Sequence, residues 1–428
     1  MALPLRMGAA ALLLLPLALG AGSAAAATRR PQVKGGYDCS QGCGKSGKLH
    51  LPCLTDDFRW DLIDMLHWHP GMRTTANGSL AWDEKSGGAA TCDPTHTATN
   101  NHSAFVKFVR EQHNVTILQQ LQPPKLQADL WHLFNDEPSR KAAIKNACEA
   151  VTRIGFDGIS VDFEGPWGSN VTFRPGLTRF IKELKSAASK LRRPPPHHAS
   201  PLLVTAAVAH DMVYDVAQDF PALAEASDGL LTMTYDYLFA AKTGPNALSR
   251  SDTPMYHKDD PANPPTPNNN INSSIHTALT QGVPAHKLTM CIAWYGKEVP
   301  TVSGDMGALM NLSSDAADPK LGRPQRIWNY QQPLSENRSV TVGGGSKWDP
   351  VALTPWYRWQ DPKRPWLWWQ GFFDDARSLR YKYQMVKDLG LDGVLLWNLN
   401  SCDVKQAPDL WKGLEEAFGT RAGYAGTL

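Results

Sequence analysis

The feature that most constrains the fold is the alternation of short apolar runs with segments whose apolar residues recur at helical spacing. The apolar runs, which predict strands, are residues 115–121, 158–163, 202–209, 229–235, 287–294 and 393–398. The segments that predict helices are residues 103–112, 139–154, 176–191, 272–281 and 375–389. Apolar strands separated by helices indicate a parallel sheet that is covered on both faces. The number of such units favours an α/β fold of the (β/α)8 TIM barrel type over an open doubly wound sheet.

Two regions depart from this alternation. The pattern does not place the first barrel strand, because residues 48–51 and 62–68 are equally good candidates. The segment of about 297–373, between the last two predicted strands, is too long for a simple crossover. It predicts an α+β insertion with a hairpin of residues 354–360 and 366–373, on the loop-bearing face where barrel proteins keep their functional groups.

The N-terminus has the pattern of a secretory signal peptide. Arg6 precedes an apolar run of residues 8–20, and small residues follow as far as Ala27. We therefore expect residues 1–27 to be a signal peptide and residues 28–428 to form the barrel domain. No stretch approaches the roughly 18 apolar residues of a membrane span, so the sequence predicts no membrane-spanning segment.

Cysteines and glycosylation sequons agree with an oxidising compartment. Among the seven cysteines, the clustered Cys39, Cys43 and Cys53 predict disulfide bonds. Cys148 and Cys291 lie in apolar segments, so we expect buried free thiols at both positions. The seven N-x-Ser/Thr sequons begin at Asn77, Asn101, Asn114, Asn170, Asn272, Asn311 and Asn337. Together these features predict a glycoprotein of the lysosomal lumen or the extracellular space.

The composition and motif content exclude several classes of protein. Lys+Arg 43 against Asp+Glu 41 leaves a net charge of +2 with no basic block, so the sequence predicts no nucleic-acid partner. No G-x-G-x-x-G follows a predicted strand, which argues against a dinucleotide cofactor. His67 and His69 share a strand face without a third ligand, so we expect no metal and no other cofactor. We also expect a monomer.

The most informative string is the D-G-x-x-x-D-x-E pattern of residues 157–164, at the end of a predicted strand. Because alternate residues of a strand share a face, Ser160, Asp162 and Glu164 should all point into the barrel. Polar groups on an interior face are costly unless they are satisfied or used, and the C-terminal ends of barrel strands hold catalytic groups. Two close carboxyl groups should raise the pKa of one of them, as a general acid requires near neutral pH.

These residues resemble the glycoside hydrolases of family 18, the chitinases and their relatives. Residues 157–164 are similar to the family's D-G-x-x-x-D-x-E strand, and residues 233–236 (Met-Thr-Tyr-Asp) are similar to its M-x-Y-D strand. Trp397, at the end of the last predicted strand, is similar to the tryptophan that the family places under the sugar. The W-Y-G of residues 294–296, the cysteine-rich N-terminus and the insertion resemble the di-N-acetylchitobiase branch.

The resemblance implies a retaining, substrate-assisted glycosidase that cleaves β-1,4 linkages of N-acetylglucosamine oligosaccharides, its expected binding partners. The residues that it implies for catalysis are Glu164 as the acid, Asp162 beside the substrate acetamido N–H and Tyr235 as donor to the acetamido oxygen. The residues that it implies for substrate binding are Asp236, Trp397, Met233 and Trp294. The alternatives are an endo-acting chitinase or endo-β-N-acetylglucosaminidase and a non-catalytic glycan-binding lectin. The presence of Glu164 favours an enzyme.

Ser160 departs from the family pattern, because most active members have an acidic residue at this place. Without that carboxylate, we expect Asp162 to stay ionised to lower pH, stabilised by a hydrogen bond from the serine hydroxyl. Its charge should then keep Glu164 protonated.

Overall fold

The computed structural model describes residues 30–38, 44–46, 49–51, 54–55, 58–82, 102–164, 170–210, 218–238, 247–257, 270–317, 326–329 and 345–422. The predicted signal peptide, the clustered cysteines Cys39, Cys43 and Cys53, and the sequons at Asn101 and Asn337 lie outside these residues. Within the described ranges, no helix is long and apolar enough to cross a membrane.

Eight parallel strands close into a barrel surrounded by helices, which confirms the predicted (β/α)8 fold class. The described strands are β1 (Gln32–Asp38), β2 (Gly44–Ser46), β3 (Leu49–Leu51), β4 (Met65–Thr74), β5 (Leu80–Trp82), β6 (Thr116–Gln122), β7 (Gly158–Val161), β8 (Leu203–Ala209), β9 (Gly229–Met233), β10 (Leu288–Ala293), β11 (Tyr295–Thr301), β12 (Arg326–Asn329), β13 (Lys347–Asp349), β14 (Thr354–Gln360), β15 (Trp368–Phe372) and β16 (Gly393–Trp397). The described helices are α1 (His102–Glu111), α2 (Gln127–Asn135), α3 (Glu137–Ile154), α4 (Arg174–Ala188), α5 (Phe220–Ala226), α6 (Ile271–Thr280), α7 (Ala376–Asp388) and α8 (Pro408–Phe418). The barrel runs β1-β4-β6-β7-β8-β9-β10-β16, and β1 closes it by pairing with both β4 and β16.

The first barrel strand is β1, which lies upstream of both sequence candidates. Residues 62–68 overlap β4, the second barrel strand, and residues 48–51 overlap the short β3. The hydrophobic pattern did not predict β1 because the interior face of this strand carries Lys34, Gly36 and Asp38 in place of apolar residues. These residue types are depleted in strands, so the run does not have the composition of a buried strand.

Local sequence signals determine where helix α3 begins and ends and where strand β7 starts. The side chain of Asp136 caps the start of α3 by accepting from Ser139 N, and the helix ends at Gly155, whose φ is +101°. Glycine reaches such a φ without a steric penalty, so the chain turns directly into the next strand. The fully buried Asp157 then accepts a hydrogen bond from Ile117 N at 2.9 Å. This bond fixes the entry of β7 against β6.

Three cysteines of the described residues are buried free thiols: Cys148, Cys291 and Cys402. The first two confirm the sequence prediction. Burial raises the pKa of all three thiols above its ordinary value. Because the thiolate is the reactive form, we expect these three buried thiols to be unreactive.

A five-stranded antiparallel sheet lies between the last two barrel strands, β10 and β16, where the sequence predicts an insertion. Its strand order is β12-β11-β15-β14-β13, and β14 with β15 forms the predicted hairpin. Trp356, Trp359 and Trp369 of this hairpin are buried. Trp356 packs with Leu238 of the loop that follows β9. The hairpin tryptophans therefore form the core of the insertion.

The lower part of the barrel interior holds a buried ion pair. Lys34 points inward from β1, and its Nζ donates to Asp392 and, at 2.8 Å, to Thr289 Oγ1. Thr289 lies on β10 and Asp392 directly precedes β16, so the contact joins three adjacent strands. A buried ammonium is tolerated only when it is paired and hydrogen-bonded.

Removing one partner of this pair should destabilise the barrel strongly. We expect Asp392→Leu to lower the free energy of unfolding by about 3–5 kcal/mol, because it leaves the Lys34 ammonium buried without its carboxylate. The double variant Lys34→Met/Asp392→Leu should recover most of that loss. Denaturant titration measures both, with Lys107→Met of the exposed Lys107–Glu111 pair as the control. A double variant as unstable as the single one would contradict this account.

Candidate active site

The C-terminal ends of the barrel strands surround a cavity of about 400 Å³. All eight barrel strands, or residues that directly follow them, contribute to its lining. The lining residues are Asp38, His67, His69, Gln120, Gln122, Ser160, Asp162, Glu164, Ala207, Leu231, Met233, Tyr235, Asp236, Cys291, Tyr295, Leu395, Trp397, Asn398 and Ser401. Six of the seven residues predicted from the sequence are therefore brought together in one pocket.

Asp162 and Glu164 occupy one wall of the pocket as a carboxyl pair. Asp162 is half-buried and accepts a hydrogen bond from Gln120 Nε2 at 2.5 Å, while Glu164 is exposed at the mouth. Burial raises the pKa of Asp162 well above its ordinary value, and the charge of Glu164 and a hydrogen bond with it act in the same direction. Arg73 and Gln120 oppose these effects without cancelling them. The pair therefore retains a shared proton at a pH at which isolated carboxyl groups have lost theirs.

The structure corrects the expectation about Ser160. Its hydroxyl lies 3.0 Å from His67 Nδ1 and accepts from Thr205 Oγ1 at 3.1 Å, whereas Asp162 is held by Gln120. Burial, aided by the charge of Lys34, lowers the pKa of His67 to about 3, so its imidazole is neutral. The pKa of Asp162 is thus raised, not lowered. Position 160 carries no carboxylate, but burial and the charge of Glu164 have the same effect.

Two tyrosines and an aspartate form a second part of the wall. Tyr235 and Tyr295 pack edge to face with their ring centroids 6.0 Å apart. Burial and the neighbouring carboxylates, among them Asp236, raise the pKa of both phenols well above its ordinary value. Both hydroxyls therefore stay protonated and can donate hydrogen bonds. The hydroxyl of Tyr295 donates to Asp236, which has a φ of +63° and lies 2.5 Å from Lys297 Nζ.

Trp397 lines the pocket, and its indole packs against residues of β1 and β4. A Cβ atom on Gly36 would lie 2.4 Å from the Trp397 ring, so the glycine leaves the space that the indole needs. The His69 ring packs edge-on against Trp397 at 5.8 Å. Gln122 Nε2 donates to His69 Nε2 at 3.0 Å, so His69 Nδ1 carries the proton and donates to Asp38 at 3.2 Å. Met233 lines the wall beside Tyr235.

Trp294 is not part of the pocket, which corrects its assignment to substrate binding. It is 1% exposed, and its ring packs edge to face on Trp411 of α8 at 4.9 Å. Trp294 follows the last residue of β10 and turns outward, while its neighbour Tyr295 turns inward. The W-Y-G string is therefore part of the site through its tyrosine.

Sequence reasoning did not assign several polar lining residues to the site because they belong to none of the motifs that carry the resemblance. They are Asp38, His69, Gln120, Gln122, Tyr295, Asn398 and Ser401. The available signal was the alternation of β6, in which Gln120 and Gln122 share a face with each other. In the part of the chain that the structure describes, no cluster of three or more His, Cys, Asp or Glu is arranged to hold a metal ion.

Comparisons with known proteins agree with this geometry. The sequence profile described as "Glycosyl hydrolases family 18" matches residues 74–401. The chain is similar to a "Probable endochitinase" of Caenorhabditis elegans, with 30% identity over 273 residues that cover 62% of this chain and 40% of the relative. It is also similar to "Di-N-acetylchitobiase" of Mus musculus, with 22% identity over 275 residues, 61% of this chain and 67% of the relative. The chain spans about half the length of the first curated relatives that it matches.

Solved structures share the fold over nearly the whole chain. The Group IV chitinase of Ostrinia furnacalis superposes with a TM-score of 0.71 at 17% identity, covering 91% of this chain and 99% of that one. A class V chitinase of tobacco superposes with a TM-score of 0.64 at 17% identity, covering 91% and 100%. At this identity the likeness concerns the fold.

The carboxyl pair can be tested without any substrate. We expect Asp162 to titrate above its ordinary pKa of about 3.9, and Glu164→Gln to lower that pKa by removing the neighbouring negative charge. Ser160→Ala should leave the pKa of Asp162 nearly unchanged, because the serine bonds to His67 and Thr205. Carboxyl carbon NMR across a pH series measures these values. Asp136, whose pKa the Ser139 hydrogen bonds lower, gives an internal comparison.

An Asp162 that titrates at or below its ordinary value would contradict the shared proton. A fall in its pKa on Ser160→Ala as large as the fall on Glu164→Gln would contradict the proposed cause.

Proposed function

Because this chain belongs to the glycosyl hydrolases of family 18, we propose that it cleaves β-1,4 linkages of N-acetylglucosamine oligosaccharides. Suitable substrates are chitobiose units of N-glycan cores or chitooligosaccharides. The observation that carries this proposal is that the carboxyl pair of Asp162 and Glu164 lines one pocket together with the phenol of Tyr235. Burial raises the pKa of both Asp162 and Tyr235. An aromatic face for a sugar ring is supplied beside them by Trp397.

Glu164 is the group that would protonate the glycosidic oxygen. It is exposed at the mouth of the pocket, where the leaving sugar would depart, whereas Asp162 lies deeper. As the C1–O bond breaks, the proton moves from Glu164 to the departing oxygen. The proton shared by the pair is then gone, and Asp162 is left with a full negative charge close to the reacting sugar.

The nucleophile in this mechanism is the substrate's own 2-acetamido oxygen, which bonds to C1 as the leaving group departs. The positive charge that develops on the acetamido nitrogen is stabilised by the Asp162 carboxylate, and Tyr235 donates a hydrogen bond to the acetamido oxygen. Glu164, now ionised, takes a proton from the water that attacks C1. The C1 configuration is inverted twice and is therefore retained.

Two other functions use the same pocket. An endo-acting chitinase or endo-β-N-acetylglucosaminidase would cut inside a longer chain, and a lectin would bind without cleavage. The retained acid Glu164 favours an enzyme over a lectin. Digestion of chitotetraose separates the two enzymes, because stepwise release of single sugars supports a chitobiase-like exo action, and dimers cut from the middle support an endo action.

The compartment is a further part of the proposal. We place the protein in the lysosomal lumen or outside the cell because of the N-terminal pattern and the sequons. Asn77, Asn114 and Asn170 are exposed, so their amides are accessible to a glycosylating enzyme.

Glu164→Gln should abolish hydrolysis and leave folding and saccharide binding intact. The amide has nearly the same shape as the acid but cannot deliver a proton, and loss of a positioned acid costs about 10²–10⁴-fold in rate. Turnover of a chromogenic chitobioside between pH 3 and 8 gives the rate, and calorimetry with chitotetraose gives the affinity. Glu416→Gln, at the exposed Lys412–Glu416 pair, is the matched control. A Glu164→Gln rate within tenfold of the wild type would exclude Glu164 as the acid.

The first product of cleavage should be the β-anomer. The acetamido oxygen shields one face of C1, so water returns to the face from which the leaving group departed. Proton NMR of the fresh reaction mixture distinguishes the two anomers before they equilibrate. An α-anomer as the first product would exclude participation of the acetamido group.

A further inference from the structure

A buried lysine joins the pocket to the inserted sheet. Lys297 lies on β11 two residues after Tyr295, so the two side chains share one face of the strand. The Lys297 side chain is 0% exposed, and its Nζ lies 2.5 Å from Asp236 Oδ1 and 3.0 Å from Asp252 Oδ1. It also donates to Leu238 O at 3.0 Å. Because a buried ammonium is costly unless it is paired, these oxygens hold Lys297 in place.

Lys297, Asp236 and Asp252 form an ion triad, in which Asp252 is the more buried carboxylate. Its side chain is 3% exposed, compared with 36% for Asp236, which lines the pocket. Asp252 Oδ1 accepts from Leu238 N at 3.3 Å, and its main-chain oxygen accepts from Tyr237 N at 3.1 Å. Asp252 Oδ2 is buried and makes no hydrogen bond within the described ranges. Asp252 therefore holds both the lysine and the backbone that directly follows Asp236.

One ammonium serves two carboxylates in the triad, so its charge is divided between them. Burial raises the pKa of Asp252 to about 6; the ammonium of Lys297 opposes this rise and the charge of Asp236 adds to it. The phenol of Tyr295 also faces the triad. On the side of α7, the buried Lys382 is within electrostatic reach of Asp252.

Lys382 has its own partner and does not compete for Asp252. It donates to Asp374, which also accepts from Thr253 Oγ1 at 2.8 Å and from Ser378 Oγ at 2.7 Å. Protonation of Asp252 would therefore change mainly the pairing of Lys297, which is its direct ionic contact.

We propose that Asp252 and Lys297 are positioning residues that control how much negative charge the Asp236 carboxylate presents to the saccharide. When Asp252 is ionised, Lys297 is shared, and Asp236 keeps enough negative charge to accept a hydrogen bond from a substrate hydroxyl or amide N–H. When Asp252 takes up a proton, Lys297 pairs with Asp236 alone and weakens that bond. The saccharide class in this statement rests on the proposed function.

The predicted effect is on affinity, since neither Asp252 nor Lys297 lines the pocket. Binding is measured in the Glu164→Gln background, where the saccharide is not consumed. The dissociation constant for chitotetraose should rise about fivefold as the pH falls from 7.5 to 5, because Lys297 then neutralises more of the charge on Asp236 and the carboxylate accepts a weaker hydrogen bond. The midpoint of this rise should lie near pH 6.

Two variants in that background separate a positioning role from a structural one. Asp252→Asn should remove this rise and bind at pH 7.5 with the weak affinity that its parent shows at pH 5, because the amide imitates the neutral acid. Asp305→Asn, the same change at an exposed position, should behave as the parent does. Thermal unfolding checks that the variants are folded. A folded Asp252→Asn variant that keeps the full pH dependence would overturn the proposal.

A second measurement needs no ligand and distinguishes failure of this inference from failure of the proposed function. Carboxyl carbon NMR gives the pKa of Asp252 in the free protein. Asp236→Asn should lower it by removing a like charge, and Lys297→Gln should raise it by removing the ammonium. If Lys297→Gln does not fold, Lys297→Arg, which keeps the charge, should keep the pKa near its wild-type value.

An Asp252 pKa that does not respond to Asp236→Asn would overturn the coupling, whatever the saccharide result. Loss of chitotetraose binding at every pH, together with the expected NMR shifts, would instead contradict the proposed substrate and leave the triad established.

Discussion

Asp162 is half-buried beside Glu164, so burial and the charge of its neighbour raise the pKa of Asp162 well above its ordinary value. The rest of the pocket is arranged around that constraint. Tyr235 and Tyr295 remain neutral because burial and nearby carboxylates raise the pKa of their phenols. His67, which also lines the pocket, remains neutral because burial lowers the pKa of its imidazole. The two phenols and the imidazole that line the pocket are therefore uncharged.

The strands and helices that the sequence predicts from residue 102 onward agree with the structure to within a few residues. The reason is physical. A barrel strand that is buried on both sides carries apolar side chains toward the helices and small or polar side chains toward the barrel interior, and this pattern is strong in β7 to β10. The same periodicity placed Ser160, Asp162 and Glu164 on one face, and all three line the pocket. Spacing along a strand determines which face a side chain takes, so these residues could be found without coordinates.

Other parts depend on contacts that no local pattern encodes. The interior of β1 is filled by Lys34, whose partner Asp392 lies at the other end of the chain, so the strand lacks an apolar signature. The bond that Ser160 makes depends on His67 and Thr205 from two other strands. Whether Trp294 or its neighbour faces the pocket is set by the turn from β10 into the inserted sheet. Such relations appear only when the barrel has closed.

That closure has a consequence for how the molecule is made. Gln32 pairs with Gly393, so the seam between β1 and β16 joins two strands that leave the ribosome at opposite ends of synthesis. Asp38 on one side of the seam and Trp397 on the other both line the pocket. During translation β1 must wait with an unpaired edge until the last strand emerges, and contacts of such high sequence separation form slowly. The pocket is therefore completed late, and a nascent chain gains it only when nearly all of its residues have been made.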